Sequence, residues 1–154
     1  MKNQYKLGAV LALIWALHGG VVSAADEEPA GMIKTVTGSV TIERGGQKLA
    51  AAEGTQVFAA DKVITGSNGS VGITLRDNTL LSAGHDSSLS LDKFAFDPST
   101  YAGTIDATLK RGTLSVVSGK IAKQSPDSVR FRTPTTTLGV RGTEFIMEVD
   151  AAKD

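Results

Sequence analysis

The feature that most constrains this chain is an alternation of apolar and polar residues with a period of two, interrupted at short intervals by turn-forming residues. Val36, Val40 and Ile42 fall on one face of an extended run, and Thr35, Thr37, Ser39, Thr41 and Glu43 on the other. Val71, Ile73 and Leu75 alternate with Gly72, Thr74 and Arg76. Ile105, Ala107 and Leu109 alternate again, as do Val129 and Phe131 with Arg130 and Arg132, and Phe145, Met147 and Val149 with Glu144, Ile146 and Glu148. Alternation of this kind puts one set of side chains on a buried sheet face and the other in water. The interruptions carry turn chemistry. Arg44-Gly45-Gly46-Gln47 has the paired glycines that supply a hairpin's positive φ, and Gly66-Ser67-Asn68-Gly69-Ser70 favours loop geometry at every residue. Glu53-Gly54-Thr55, Arg76-Asp77-Asn78-Thr79, Gly84-His85-Asp86 and Lys110-Arg111-Gly112 read as further turns, and Asp92 to Ala102 as the longest irregular stretch, anchored by Phe94, Phe96 and Tyr101.

Several short strands at a spacing of about 8–12 residues, with no long amphipathic helix, predict an all-β single domain. A Gly-Ser/Thr step followed by an alternating run recurs at Gly38, Gly69, Gly103, Gly112 and Gly142. It is compatible with stacked β-coils, in which each layer buries its face on the next, and equally with Gly-Ser/Thr simply being common at strand starts, so sandwich, barrel and solenoid all stay open.

The first 25 residues carry a different signal. Lys2 and Lys6 form a basic start, Leu7 to Leu17 an apolar core too short to span a bilayer, and Gly19-Gly20 a break before Val22-Ser23-Ala24-Ala25. This is the pattern of a signal-peptide helix cleaved after Ala24 or Ala25. An export signal predicts a periplasmic or secreted protein with no retained transmembrane helix. The organisation expected is a signal at 1–25, a flexible acidic linker at 26–31, a β domain at 32–150 and a tail at 151–154. Loss of Lys2 and Lys6 turns a balance of 16 basic and 16 acidic residues into 14 against 16, a net charge near −2. No basic excess remains to neutralise phosphates, which disfavours nucleic-acid binding. The chain has no cysteine, so packing and hydrogen bonds must hold the domain without disulfides.

Few residues offer chemistry. His85 is the one histidine beyond the signal, and no Gly-x-Ser-x-Gly elbow or HExxH spacing accompanies it. It reads as an exposed loop residue. Asp92 and Asp97 lack the EF-hand spacing. Neither a metal site nor a cofactor is expected. Arg130 and Arg132 share a strand face and make either a partner-binding patch or a solvated face that deters edge pairing. Sugar-stacking platforms are scarce: the aromatics after the signal are five phenylalanines and Tyr101, since Trp15 leaves with it.

The C-terminal stretch brings a family into view. Thr133-Pro134-Thr135 followed by Val140-Arg141-Gly142-Thr143-Glu144-Phe145 resembles the closing signature of the FecR domain. Gly38-Ser39-Val40-Thr41 resembles its opening strand, and Ala60-Asp61-Lys62-Val63-Ile64-Thr65-Gly66 its Asp-containing step. Ser70 to Thr79 resembles a strand ending in an Asp-x-Thr turn, and Leu109 to Leu114 a Gly-centred step. The matches run in order from Met32 to about Asp150. The resemblance implies an all-β periplasmic domain, β-solenoid or roll-like with a β-sandwich as the alternative, that binds another envelope protein, in signalling or envelope assembly, and not an enzyme. Arg130, Arg132, Arg141 and Glu144 are the binding candidates. Membrane-spanning sigma regulators of this family also carry a cytoplasmic anti-sigma segment, a retained transmembrane helix and a transporter-binding lobe, none of which is legible here. Some relatives cleave themselves at a Gly-Thr bond by an N–O acyl shift, which maps onto Gly142-Thr143. The structural alternative is that Gly142 permits a corner and Thr143 begins a strand. A glycan- or peptidoglycan-binding module is a further alternative.

Overall fold

A computed structural model describes residues 27–150. The signal segment with Ala24 and Ala25, and the tail at 151–154, lie outside the described residues. Twelve strands follow one another: β1 (Gly31–Thr37), β2 (Val40–Arg44), β3 (Gln47–Ala50), β4 (Gln56–Val57), β5 (Lys62–Thr65), β6 (Ser70–Leu75), β7 (Leu80–Ala83), β8 (Ser88–Phe96), β9 (Gly103–Val117), β10 (Val129–Arg132), β11 (Thr137–Gly139) and β12 (Glu144–Val149). A short helix α1 (Lys120–Gln124) and a 3-10 turn (Pro126–Ser128) separate β9 from β10. The protein is an all-β domain formed by one curled sheet, antiparallel except where β10 runs parallel to β9.

β9 is the spine of this sheet. Its first half, Gly103 to Arg111, pairs with β8 on one side, and Ile105 to Thr108 pair with β10 on the other. Its second half pairs with β7 (Leu114 to Val117) and with β12 (Gly112 to Val117). Two ladders therefore share one strand: β3-β2-β5-β8-β9-β10-β11 and β4-β1-β6-β7-β9-β12. Apolar alternation fills the space between them. Ile33, Ile42, Leu75, Leu81, Leu89, Ile105, Leu109, Leu114, Val116 and Phe131 belong to one buried cluster. The Phe145 ring meets the Phe131 ring edge-on at 5.3 Å, locking β12 to β10 across the core.

The chain changes ladder at Gly112, and here the structure corrects the sequence reading. Lys110-Arg111-Gly112 is not a turn; the strand runs straight through it. Gly112 has φ +88°, and a Cβ there would collide with Ser87. A glycine in this conformation bends a strand without ending it. Asp92 to Phe96 is likewise strand and not loop, because it continues the ladder against β9. The connecting turn is confined to Asp97–Ala102, closed by the Asp97 amide on the Ala102 carbonyl (2.9 Å) and the Tyr101 amide on the Asp97 carbonyl (2.8 Å). Gly31, expected in the linker, is already the first residue of β1, and Ala30 before it is buried and donates its amide to the Val57 carbonyl at 2.7 Å. The recurring Gly-Ser/Thr step does not mark equivalent layers. Gly38 is a positive-φ turn, Gly103 opens a strand, and Gly112 lies in the middle of that same strand.

Candidate functional site

The polar residues of the N-terminal and central motifs are turned inward. Asp61 is fully buried, and its carboxylate accepts the Phe58 amide (2.8 Å) and both Nε (2.8 Å) and Nη2 (2.7 Å) of Arg44. Arg44 also donates to the Gln56 carbonyl (3.0 Å) and lies 4.6 Å over the Phe58 ring. The hydrogen bonds it donates to the Asp61 carboxylate hold the Arg44 guanidinium above its ordinary pKa. This bidentate pair ties the β2–β3 hairpin to the turn that starts β5.

Asp77 does the same for the helix. Its carboxylate accepts the Thr79 amide (3.1 Å), the Thr79 hydroxyl (2.8 Å) and the Ile121 amide (3.2 Å), and its carbonyl accepts the Lys120 amide (2.8 Å). Thr79 Oγ accepts the Gly119 amide at 3.1 Å. The helix has no cap from its own first residues. The Asp77-Asn78-Thr79 turn, with Asn78 at φ +69°, satisfies its free amides from a distant part of the chain. Ser87 fixes the β9 bend: its hydroxyl donates to the Thr113 carbonyl (3.2 Å) and accepts the Thr113 amide (3.0 Å). His85 and Asp86 are exposed in the turn before it, and of His85 only the main-chain carbonyl reaches Ser87 Oγ. Asp92 is held by Thr108 Oγ (2.6 Å), while Asp97 caps its own turn through the Ser99 amide (2.8 Å). They do not converge on a common point.

The four binding candidates divide. Arg132 Nη2 pairs with Asp106 at 2.8 Å across the β9–β10 ladder, so it is a sheet tie. Arg130 is exposed on the same face of β10. It lines a shallow groove of about 290 Å³ with Arg141, Asp127, Thr137 and Val140. Arg141 is 3.8 Å from Asp127, both side chains being almost fully in water. Arg141 also borders a smaller depression, about 230 Å³, with Glu144, Leu138 and Ile146. Arg130, Arg141 and Glu144 thus share one exposed surface over β10–β12, and Arg132 stands apart from it.

Gly142 and Thr143 lie in the bend before β12, whose first strand residue is Glu144. A Cβ on Gly142 would meet nothing within 4 Å, and its φ lies outside the left-handed region. Neither crowding nor backbone strain accounts for a glycine here. Its carbonyl accepts the Ser118 hydroxyl (2.9 Å), and the Thr143 carbonyl accepts the Ser118 amide (2.8 Å). Ser118, Lys123 and Pro126 complete a groove of about 440 Å³ around the bond. Sequence reasoning missed Ser118 and Lys123. No motif marks either residue: the β9–β12 register brings Ser118 to Gly142, and α1, which follows β9, brings Lys123 to the same groove.

Fold and site together define an all-β module whose motif carboxylates staple strands to one another and leave the C-terminal surface open. The FecR protein family model matches residues 61–154, more than half of the sequence, and the chain belongs to the FecR family. FecR domains are known in envelope signalling regulators. The match contains Asp61, Asp77, Thr79, Gly112 and the Gly142-Thr143 pair. It begins after β4, yet β1 pairs with β6 and β2 with β5, so the preceding strands are built into the same sheet. No curated protein and no solved structure matches the chain. Among the described residues no helix is long and apolar enough to cross a membrane.

Proposed function

We propose that this protein is a non-catalytic periplasmic module that binds another envelope protein in a signalling or assembly role. One observation carries the reading. Asp61, Asp77, Thr79 and Ser87 spend their hydrogen bonds inside the fold, whereas Arg130, Arg141 and Glu144 remain exposed together on one surface. Buried and satisfied polar groups hold a fold; exposed mixed charges at a surface groove select a partner. Affinity capture from an envelope extract tests this. The protein retains a specific partner, and the Arg130→Glu/Arg141→Glu double variant loses it. Binding to isolated cell wall without any specific protein would replace this reading with the glycan-binding alternative.

The Ser118 hydroxyl on the Gly142 carbonyl favours a second reading, self-cleavage. In that reaction Thr143 Oγ attacks the Gly142 carbonyl carbon and the carbon–nitrogen bond breaks. The hydroxyl proton ends on the freed Thr143 amine, and water then hydrolyses the resulting ester. Ser118 would steady the oxygen as it gains negative charge. Intact mass after long incubation separates the two readings. Fragments dividing before Thr143, absent from Thr143→Ala and slowed in Ser118→Ala, establish cleavage; a single full-length species excludes it.

A further inference from the structure

The sheet has four edges among the described residues, and three are short. β3 has four residues, β4 two and β11 three, whereas β12 has six. Proteins shorten or cover edge strands because a row of unpaired amides and carbonyls recruits other strands. β12 is the exception, and its register shows which groups are free. The Ser118 amide donates to the Thr143 carbonyl, and the ladder continues as Phe145↔Val116 and Met147↔Leu114. In an antiparallel pair, alternate residues turn both backbone groups toward the partner. Thr143, Phe145, Met147 and Val149 therefore face β9, and Glu144, Ile146 and Glu148 present their amides and carbonyls at the open edge.

The side chains of these three residues are also out of the core. Ile146 is 70% exposed, the most exposed large hydrophobic side chain among the described residues. A slot of about 350 Å³ lies beside it, lined by Leu138, Met147, Thr133 and Thr136, and Leu138 is itself 39% exposed. The edge thus reads acid–apolar–acid along one face, beside a mixed slot that is apolar at Leu138 and Met147 and polar at Thr133, Thr135 and Thr136.

We infer that β12 is a docking edge for an extended segment of another protein that adds as a further strand, with basic residues flanking an apolar one. This rests on the protein-binding reading above and names its surface and the chemistry of its partner. Charge chooses the occupant. A second copy of β12 laid antiparallel with full overlap pairs Ile146 with Ile146 and sets Glu144 opposite Glu148 twice, and like charges directly opposite are destabilising. A strand reading basic–apolar–basic sets opposite charges there and places its apolar side chain against Ile146 and the slot. Main-chain bonds supply attachment and the alternate side chains supply selection.

The test uses a blocked heptapeptide with arginine at its second and sixth positions, valine at its fourth and threonine elsewhere. A control peptide carries glutamate in place of the arginines. With the purified protein, the arginine peptide slows amide hydrogen exchange at Glu144, Ile146 and Glu148, and the glutamate peptide binds about tenfold more weakly or not at all. Ile146→Pro removes one outward amide and no ladder bond to β9, and abolishes binding. Glu144→Lys/Glu148→Lys keeps the backbone intact and reverses the peptide preference, so a misfolded proline variant does not decide the matter. Equal binding of both peptides, protection elsewhere on the surface, or no binding overturns the docking edge. Concentration-dependent self-association that protects the same amides overturns it in favour of a second copy. Capture from an envelope extract separates this inference from its parent: a specific partner retained equally by Ile146→Pro overturns the edge and keeps the module, and no partner for either protein overturns the module.

Discussion

The family signature has two ends that behave differently. Around Asp61 and Asp77 every carboxylate oxygen has a donor, and the groups are sealed in the core. Around Gly142 to Val149 the side chains are largely exposed, and alternate backbone groups have no partner strand. One signature thus contains two kinds of constraint. The first is intramolecular: removing a partner strands a buried donor or charge. The second has no counterpart inside the described residues, and a reason for it must come from outside the molecule or from chemistry at the Gly142-Thr143 bond.

Substitutions break this contrast in graded steps. Gly112→Val stands with Phe131→Ala among the largest effects. It forces a β-branched side chain into a positive φ and into Ser87, and costs about 4 kcal/mol from strain and overpacking together. Loss of the cooperative thermal transition is the expected readout. Phe131→Ala empties the contact that joins β10 to β12 and costs about 3–5 kcal/mol, measured by denaturant unfolding. Asp77→Ala leaves the Thr79 and Ile121 amides without an acceptor and costs about 3 kcal/mol, while α1 loses protection from hydrogen exchange before the sheet does. A midpoint unchanged from the wild type would show that the Asp77 staple is dispensable. In contrast, Ile146→Ser and Glu148→Gln each move stability by no more than about 0.5 kcal/mol, since neither side chain is buried.

The smallest effect is electrostatic. The Ser99 amide, first among its hydrogen bonds, holds the Asp97 carboxyl below its ordinary pKa. A lowered folded-state pKa contributes stability above the unfolded-state value, and this is lost as pH falls through the folded-state value. Asp97→Ala therefore melts slightly below the wild type at neutral pH, and the gap closes on acidification below the usual carboxylate range. A gap that widens in acid would show the sign to be wrong. The group is fully exposed, so solvent screens the difference.

Much of the fold was legible because its signals are local. Gly45 and Gly46 both adopt positive φ, and Val71, Ile73 and Leu75 are buried while the residues between them are not. What escaped depends on neighbours. Gly112 resembles a turn until Ser87 and two flanking ladders are placed around it. Asp92 to Phe96 looks irregular because its polar residues face water while pairing with β9. α1 takes its cap from Asp77, more than forty residues earlier in sequence. Arg130 and Arg132 were equivalent in the alternation, and only Asp106 distinguishes them. At the C-terminal end the pattern of β12 was visible, but not that β9 covers one side of it and leaves the other open.

The central claim is that the last strand is satisfied on one side and free on the other. Residue-resolved amide hydrogen exchange of the isolated protein measures this directly. The account predicts a period of two along β12: slow exchange at Phe145, Met147 and Val149, and fast exchange at Glu144, Ile146 and Glu148. Uniform protection across Glu144–Val149 would mean that the edge is already covered, and uniform fast exchange that β12 does not pair stably with β9; either result contradicts it.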